Sequence, residues 1–372
     1  MDFGLFYEIC VPRPWDTGKE AQVLRQVIEQ VRFAEDAGFR YVWLTEHHFL
    51  EEFSHCSAPE VMLAALSQVT TTMRLGHGVV LTPPAYNHPA RVAERIATLD
   101  CISGGRVEIG TGRSSTPTEL DGFGIDAGFA REMWLEGLGA IVKLLVGEKV
   151  LLDGEYVSMP ARTVVPRCVQ QPHPPLWMAG TSPSTTERAA AAGLGVLFFA
   201  HGILPESLAE SVEVYRNTIK SAQPIGIEVN EGLAGFCNAL CLEDDREARE
   251  LGGRASFEYV MKGMSLARWP RGVTPPRSYE YTVDSMWRGR ERLEAMGPQG
   301  MIEKGMVIAG GPERCYELCE RYADVGVDQL ILHMQTWDTP HDKIMASIAA
   351  FGEHIIPGLG GSSAPEGPPA GS

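Results

Sequence analysis

Three segments of this 372-residue chain share one grammar: Ala34-Glu-Asp-Ala-Gly38-Phe-Arg-Tyr-Val-Trp-Leu44, Ala189-Ala-Ala-Ala-Gly193-Leu-Gly-Val-Leu-Phe-Phe199 and Tyr322-Ala-Asp-Val-Gly326-Val-Asp-Gln-Leu-Ile-Leu332. Each reads as a helix end, a glycine and a short apolar strand. Glycine reaches the left-handed conformation that closes a helix without steric penalty. A helix that turns straight back into a strand is the unit from which parallel sheets are wound. Sandwiches and bundles do not repeat that unit, so an α/β fold follows before composition is considered.

The remaining segments extend the pattern. Apolar runs read as strands at Phe3 to Tyr7, Tyr41 to Leu44, Arg74 to Leu81, Arg106 to Thr111, Leu176 to Ala179, Val196 to Ala200, Gly232 to Leu242, Met306 to Ile308 and Gln329 to Leu332. Helical stretches separate them. Val23, Val27, Val31 and Ala34 recur at helical spacing ahead of Gly38, and Ser57-Ala-Pro-Glu60 reads as a capping box opening a helix to about Thr72. Residues after Gly112 read as a polar loop before a helix from Glu132 to Leu145. No G-x-G-x-x-G turn follows the first strand, where a dinucleotide-binding sheet would carry one. The count of units and that absence predict a single (β/α)8 TIM barrel over residues 1–357. Nine strands overfill eight units, so one of them is expected not to be a strand.

Three segments stand outside this grammar. Residues 149–174 carry Pro160, Pro166, Pro172 and Pro174 and read as an extended excursion. Residues 265–305, with Trp269-Pro-Arg-Gly-Val-Thr-Pro-Pro276, read as an insertion able to cover the barrel mouth. The Gly-, Pro- and Ser-rich stretch 358–372 is too poor in apolar surface to order itself.

Charge narrows the partners. The formal net charge of −16 repels a polyphosphate backbone, and no cluster of Lys or Arg offsets it locally, so nucleic acid is excluded. No basic leader and no run of about 18 apolar residues is present, which predicts a cytoplasmic protein without a membrane span. The eight cysteines lack the spacing of a secreted disulfide framework, and the pairs Cys237/Cys241 and Cys315/Cys319 read as buried thiols rather than metal ligands. No metal site is expected.

In a barrel, reactive groups belong at the C-terminal strand ends. The second strand ends in Thr45-Glu46-His47-His48-Phe49, where one histidine aimed into the mouth could serve as acid, base or hydrogen-bond donor. The alternative is a pair of loop tethers. The third strand, Gly76-His-Gly78-Val79-Val-Leu81, has glycine in its interior, suiting either a flat ligand ring or a crowded corner. Gly110-Thr-Gly-Arg113-Ser114 combines a guanidinium with hydroxyls, and Ala179-Gly-Thr181-Ser182-Pro-Ser-Thr185-Thr-Glu187 opens a helix crowded with hydroxyls. Both features suit a phosphate, although capping and solvation also explain them.

Taken in order, these strings resemble the luciferase-like flavin monooxygenases. The resemblance is carried by Met1-Asp-Phe-Gly-Leu-Phe6, Gly38 to Phe49, Gly76 to Leu81, His88-Pro-Ala-Arg91, Leu99 to Arg106, Phe123-Gly-Ile-Asp126 and Ala179 to Gly193, with Gly311-Pro-Glu-Arg314 and Gly326-Val-Asp328 closing it. It implies a barrel binding reduced flavin mononucleotide (FMNH2) at its mouth. His47 is then the catalytic residue assisting flavin-hydroperoxide chemistry with O2. Arg113, Ser182 and Thr185 bind the phosphate, Gly78-Val79 forms a bulge or a non-prolyl cis peptide under the flavin ring, and Glu46, Ser114 and Thr181 complete the cofactor-binding set. This chain is one residue longer than the family pattern between Ala179 and Glu187.

It departs again at Gly112, where luciferase has a reactive cysteine, and at Thr116, where it has an aromatic residue. Aldehyde-dependent light emission is therefore not implied. The implied reaction is oxygenation of a small organic substrate, with FMNH2 delivered by a separate NAD(P)H-flavin reductase and the oxygenase acting as a homodimer. The deazaflavin F420 with hydride transfer, or a non-catalytic flavin-binding role, are the alternatives.

Overall fold

The alternation of strand and helix closes on itself. The computed structural model describes residues 1–180, 182–199, 201–269, 273–279 and 283–361. Its strands are β1 (Asp2–Tyr7), β2 (Tyr41–Leu44), β3 (Arg74–Leu81), β4 (Val107–Gly112), β5 (Val150–Asp153), β6 (Ser158–Arg162), β7 (Leu176–Gly180), β8 (Gly195–Phe199), β9 (Leu233–Cys241), β10 (Ile308–Gly310) and β11 (Gln329–His333). Eight of them pair in parallel in the order β1-β2-β3-β4-β7-β8-β9-β11 and back to β1. Closure leaves no edge strand in that ring, and the fold is the expected (β/α)8 TIM barrel.

Parallel strands buried on both faces read as nearly continuous apolar runs, as the wholly buried β9 illustrates. Inside the ring, Phe6, Trp43, Trp177, Leu197, Phe236 and Ile331 form one interior cluster. Trp43 sets the sequence of the neighbouring strand: a Cβ on Gly76 would lie 2.2 Å from its indole. The glycine of β3 at that position therefore answers to crowding within the barrel. Around the ring, Val23, Val27, Val31 and Ala34 are buried on the Lys19–Asp36 helix. Gly38, Gly193 and Gly326 all have positive φ (96°, 69° and 88°), as the shared grammar requires.

Several expectations change. All nine expected strands form, but β10 pairs only with the far end of β9, Ile308 opposite Ala239, and stands outside the closed ring. The helix after Ser57 spans Pro59–Ser67, with Ala58 at its cap and no side-chain capping bond. It stops short of Thr72 because the Glu35 carboxylate takes the N–H groups of Thr71, Thr72 and Met73 at 2.9, 2.7 and 2.8 Å. Those amides are then held outside a helical ladder. The stretch after Gly112 contains a further helix, Pro117–Gly122. Within 149–174, β5 and β6 form an antiparallel hairpin.

The 265–305 segment begins at the end of the Asp245–Leu266 helix and includes Val283–Lys304, two helical pieces meeting at Gly297. Ordered structure continues past 357: a helix spans Ile356–Leu359, and the Gly361 N–H bonds to the Met1 carbonyl at 3.2 Å. The tail expectation for 362–372 lies outside the described residues. Among the described residues no helix is long and apolar enough to cross a membrane.

Candidate active site

The chain leaves β2 and carries His47 to the mouth, where its backbone N–H is fixed on the Cys56 carbonyl at 3.1 Å. Its ring lies between two carboxylates. Nδ1 is 2.9 Å from Glu119 Oε1 and Nε2 is 3.6 Å from Glu8 Oε2. Burial would favour the neutral ring, but the charges of Glu119 and Glu8 outweigh it and hold the imidazole up at about 9. A value of about 9 favours the protonated ring at neutral pH, a form that can serve as acid or hydrogen-bond donor and not as base.

Glu119 is the anchor of this arrangement. It is fully buried, and it accepts from His47 Nδ1, from the His48 backbone N–H (2.9 Å), from Ser114 Oγ (2.8 Å) and from Thr116 Oγ1 (2.6 Å). Burial alone would raise its pKa, yet the His47 charge and these bonds bring the carboxyl down to about 2. Thr116 caps the Pro117–Gly122 helix by accepting from the Glu119 N–H at 3.2 Å, which fixes the carboxylate at the first turn. Glu8, just past β1, is pushed up by burial, opposed by His47 and by the Tyr259 hydroxyl that donates to it at 3.1 Å.

Glu46 has a different position. It accepts from the Leu81 N–H (2.8 Å) and from Asn87 Nδ2 (2.8 Å), and lies 3.2 Å from His48 Nε2. It joins the end of β2 to the end of β3. His48 packs edge-on against Phe123 with ring centroids 4.9 Å apart. The Gly78-Val79 peptide is cis, at the point where the β3–β4 register shifts. Gly112 faces it across the strands: a Cβ there would come within 2.5 Å of Val79 Cγ2.

Arg113 leaves β4 with its guanidinium 4.4 Å over the Tyr279 ring, and the Tyr279 hydroxyl donates to the Ser114 carbonyl at 3.0 Å. The 265–305 segment thus contacts the mouth at the β4 loop. Ser114 adopts a positive φ of 73°. Past the end of the neighbouring strand β7, Ser182 caps the Pro183–Ala191 helix, and its Oγ lies 2.9 Å from Thr185 Oγ1 and 3.3 Å from Ser184 Oγ. Arg188, one turn on, donates to Thr185 Oγ1 at 3.3 Å. Thr181 lies outside the described residues.

The structure therefore brings His47, Glu46 and Ser114 into one network with Glu119, and sets Arg113 and the Ser182–Thr185 hydroxyls at the ends of adjacent strands. Sequence reading missed Glu119, Glu8, Tyr259 and Tyr279. A signal for Glu119 existed, since Thr116-Pro-Thr-Glu119 has the spacing of a capping box. Glu8 and Tyr259 carried none, because their meeting depends on barrel closure. Cys237, Cys241, Cys315 and Cys319 are all buried thiols, and among the described residues no group of His, Cys, Asp and Glu is arranged to hold a metal ion.

Residues 1–329 match the luciferase-like monooxygenase family. An uncharacterized protein of Sinorhizobium fredii is 31% identical over 344 residues, covering 91% of this chain and 92% of its own. The oxygenase component of a flavin-dependent trigonelline monooxygenase of Acinetobacter baylyi is 33% identical over 198 residues, 53% of each chain. The monooxygenase RslO1 from Streptomyces bottropensis superposes with a TM-score of 0.76 at 26% identity, covering 96% of this chain and 99% of that one. A match spanning the first seven strands of the ring and the capped helix that anchors His47 leaves one conclusion: the chain belongs to the luciferase-like monooxygenase family of flavin-dependent oxidoreductases.

Proposed function

We propose that the protein is the oxygenase of a two-component system, taking FMNH2 from a separate NAD(P)H-flavin reductase and using O2 to oxygenate a small organic substrate. The observation that carries this reading is His47, set between the Glu119 and Glu8 carboxylates at the mouth of the barrel, where their charges favour its protonated form. The donor set beside it suits FMN. A guanidinium at Arg113 and the hydroxyls of Ser182 and Thr185 at a helix start, one strand apart, match a phosphate monoester. Gly78 and Val79 offer backbone and a small apolar face to a planar ring, and Ser114 stands next to Arg113.

Reduced FMN, when bound, supplies the two electrons that activate O2. The protein's own residues do the rest. Arg113 and the Ser182–Thr185 helix start orient the phosphate end. His47 Nε2 holds a proton at the reacting centre, and Glu119 fixes the ring through Nδ1. Glu46 keeps the ends of β2 and β3 together and so positions His47. The reductase partner is supported by the Acinetobacter baylyi relative, itself an oxygenase component. Exposed Val61 and Ile102, on the Pro59–Ser67 and Pro89–Ser103 helices, support a homodimer, which sedimentation would check.

Rapid mixing of the anaerobic protein–FMNH2 complex with O2 tests the reading. Protein-bound FMNH2 should reoxidise more slowly than free FMNH2, and His47→Ala should abolish that retention while changing FMN affinity little. Arg113→Ala should instead raise the FMN Kd by on the order of tenfold or more. Tight binding of F420 with no affinity for FMN would replace this reading with hydride transfer, and no affinity for either would leave an accessory role.

A further inference from the structure

The uppermost interior layer of the barrel is polar where nothing within the protein requires it. Inward-facing residues alternate along each strand. On β9 and β11 the deeper inward residues Phe236 and Ile331 are followed two positions on by Asn238 and His333; beside them, just past the ends of the neighbouring strands β8 and β1, whose inward residues include Phe199 and Phe6, stand His201 and Glu8. Both ring nitrogens of His201 and His333, and both amide atoms of Asn238, are buried and lack a partner in good hydrogen-bond geometry; Asn238 lies close to His201 and the Gln335 backbone close to His333, but neither approach makes a well-formed bond. His333 is fully buried and Asn238 is 1% exposed. Tyr259 closes the group, with ring centroids 4.6 Å from His333 and 5.2 Å from His201. Its hydroxyl donates to Glu8, whose other oxygen is 3.6 Å from His47 Nε2. The layer is therefore continuous with the candidate catalytic histidine.

A natural barrel does not leave the buried polar atoms of three neighbouring side chains poorly paired without a use, because each forfeits its hydrogen bonds to water on folding. We propose that this layer is a recognition floor on which His201, Asn238 and His333 hydrogen-bond an uncharged organic substrate bearing a donor and an acceptor side by side, as a lactam, carboxamide or hydroxy-carbonyl compound does. The word substrate rests on the oxygenase reading above; the recognition itself is a matter of binding. Burial holds His201 down at about 4, and burial together with His201 holds His333 well below the usual histidine range. Each neutral ring then offers one N–H and one lone pair, and Asn238 offers both kinds of group. Among the described residues joined to this layer, the cation a carboxylate would meet is His47, which is already clamped by Glu119 and Glu8. A bare alkyl chain would leave every one of these groups unpaired.

Titration of the full chain with 2-quinolone, a lactam, against quinoline and 2-naphthoate tests this. We expect 2-quinolone to bind at least about tenfold tighter than either control. Asn238→Leu and His333→Leu should each cut that preference to about twofold or less, with the FMN Kd unchanged. Equal affinities in the parent protein, or a preference that survives both substitutions, would overturn the floor. Because Asn238→Leu removes a poorly paired amide at nearly constant shape, the melting temperature of the ligand-free protein should not fall. A drop of more than about 5 °C would mean that the amide holds the barrel together, and would overturn the assignment too. His201→Phe gives the same affinity readout if either deeper variant fails to fold. Loss of FMN binding with the 2-quinolone preference intact would strike the FMN reading and leave the floor standing.

Discussion

His47 and Glu119 form one ion pair seen from two sides, and its pH behaviour follows from the direction of each shift. The histidine is raised from 6.5 to about 9, so the stability it contributes is complete below its unfolded value of about 6.5 and is lost as pH rises through 9. The carboxylate is lowered from 4.5 to about 2, so its contribution is complete above about 4.5 and is lost as pH falls through 2. The pair is at full strength between roughly pH 4.5 and 6.5. Glu119→Gln should therefore flatten the decline in stability between pH 6.5 and 9 and cost on the order of 3 kcal/mol near pH 6, measured by denaturant unfolding. An unchanged pH profile in that variant would show that His47 takes its proton affinity from elsewhere. The same substitution should move the alkaline limb of turnover to lower pH, since His47 would lose its proton sooner.

Elements explain which of these residues could be read in advance. Helix ends and strand lengths were legible because they obey local rules: β2 and β3 fall where Tyr41 to Leu44 and Arg74 to Leu81 put them, and Ser182 caps its helix as its position before Pro183 implies. The positions of Arg113 and His47 just past the ends of β4 and β2 were legible for the same reason. The capping box read at Ser57-Glu60 does not form, whereas Thr116 caps its helix on Glu119 with the Glu119 carboxylate taking the Thr116 hydroxyl and the Thr116 N–H going to Ser114 Oγ. Both strings have the required spacing, and only packing decides which carboxylate turns inward. Glu8, Tyr259 and Tyr279 were invisible because contacts such as Tyr259 with Glu8, 251 positions apart, exist only after the barrel closes.

Two substitutions test the element scale. Ser182→Ala should cost about 1 kcal/mol of stability through the lost cap and should weaken FMN binding as well, whereas a pure cap would move stability alone. Gly76→Ala places a methyl 2.2 Å from the Trp43 indole. It should destabilise by roughly 1–3 kcal/mol or more in thermal unfolding, and pairing it with Trp43→Phe should recover part of that loss.

At the scale of the whole molecule, a protein of net charge −16 is proposed to bind a phosphate dianion. Two fields then compete. The long-range field of the chain repels FMN, and the short-range field of Arg113, just past β4, and of Arg188, in the helix that follows β7, attracts its phosphate. Salt distinguishes them because screening depends on distance: the Debye length is about 30 Å at 0.01 M and about 8 Å at 0.15 M. Added salt should remove most of the repulsion, which acts across the molecule, and little of the attraction, which acts at contact and partly out of water. The association rate of FMN should accordingly rise roughly two- to tenfold between those ionic strengths, while its dissociation rate changes little. Arg113→Ala should accelerate dissociation and leave the salt-dependent gain in association in place. A rate that falls with salt in the parent protein would mean that the mouth is electropositive well beyond contact range, and that the acidic surface lies too far from it to matter.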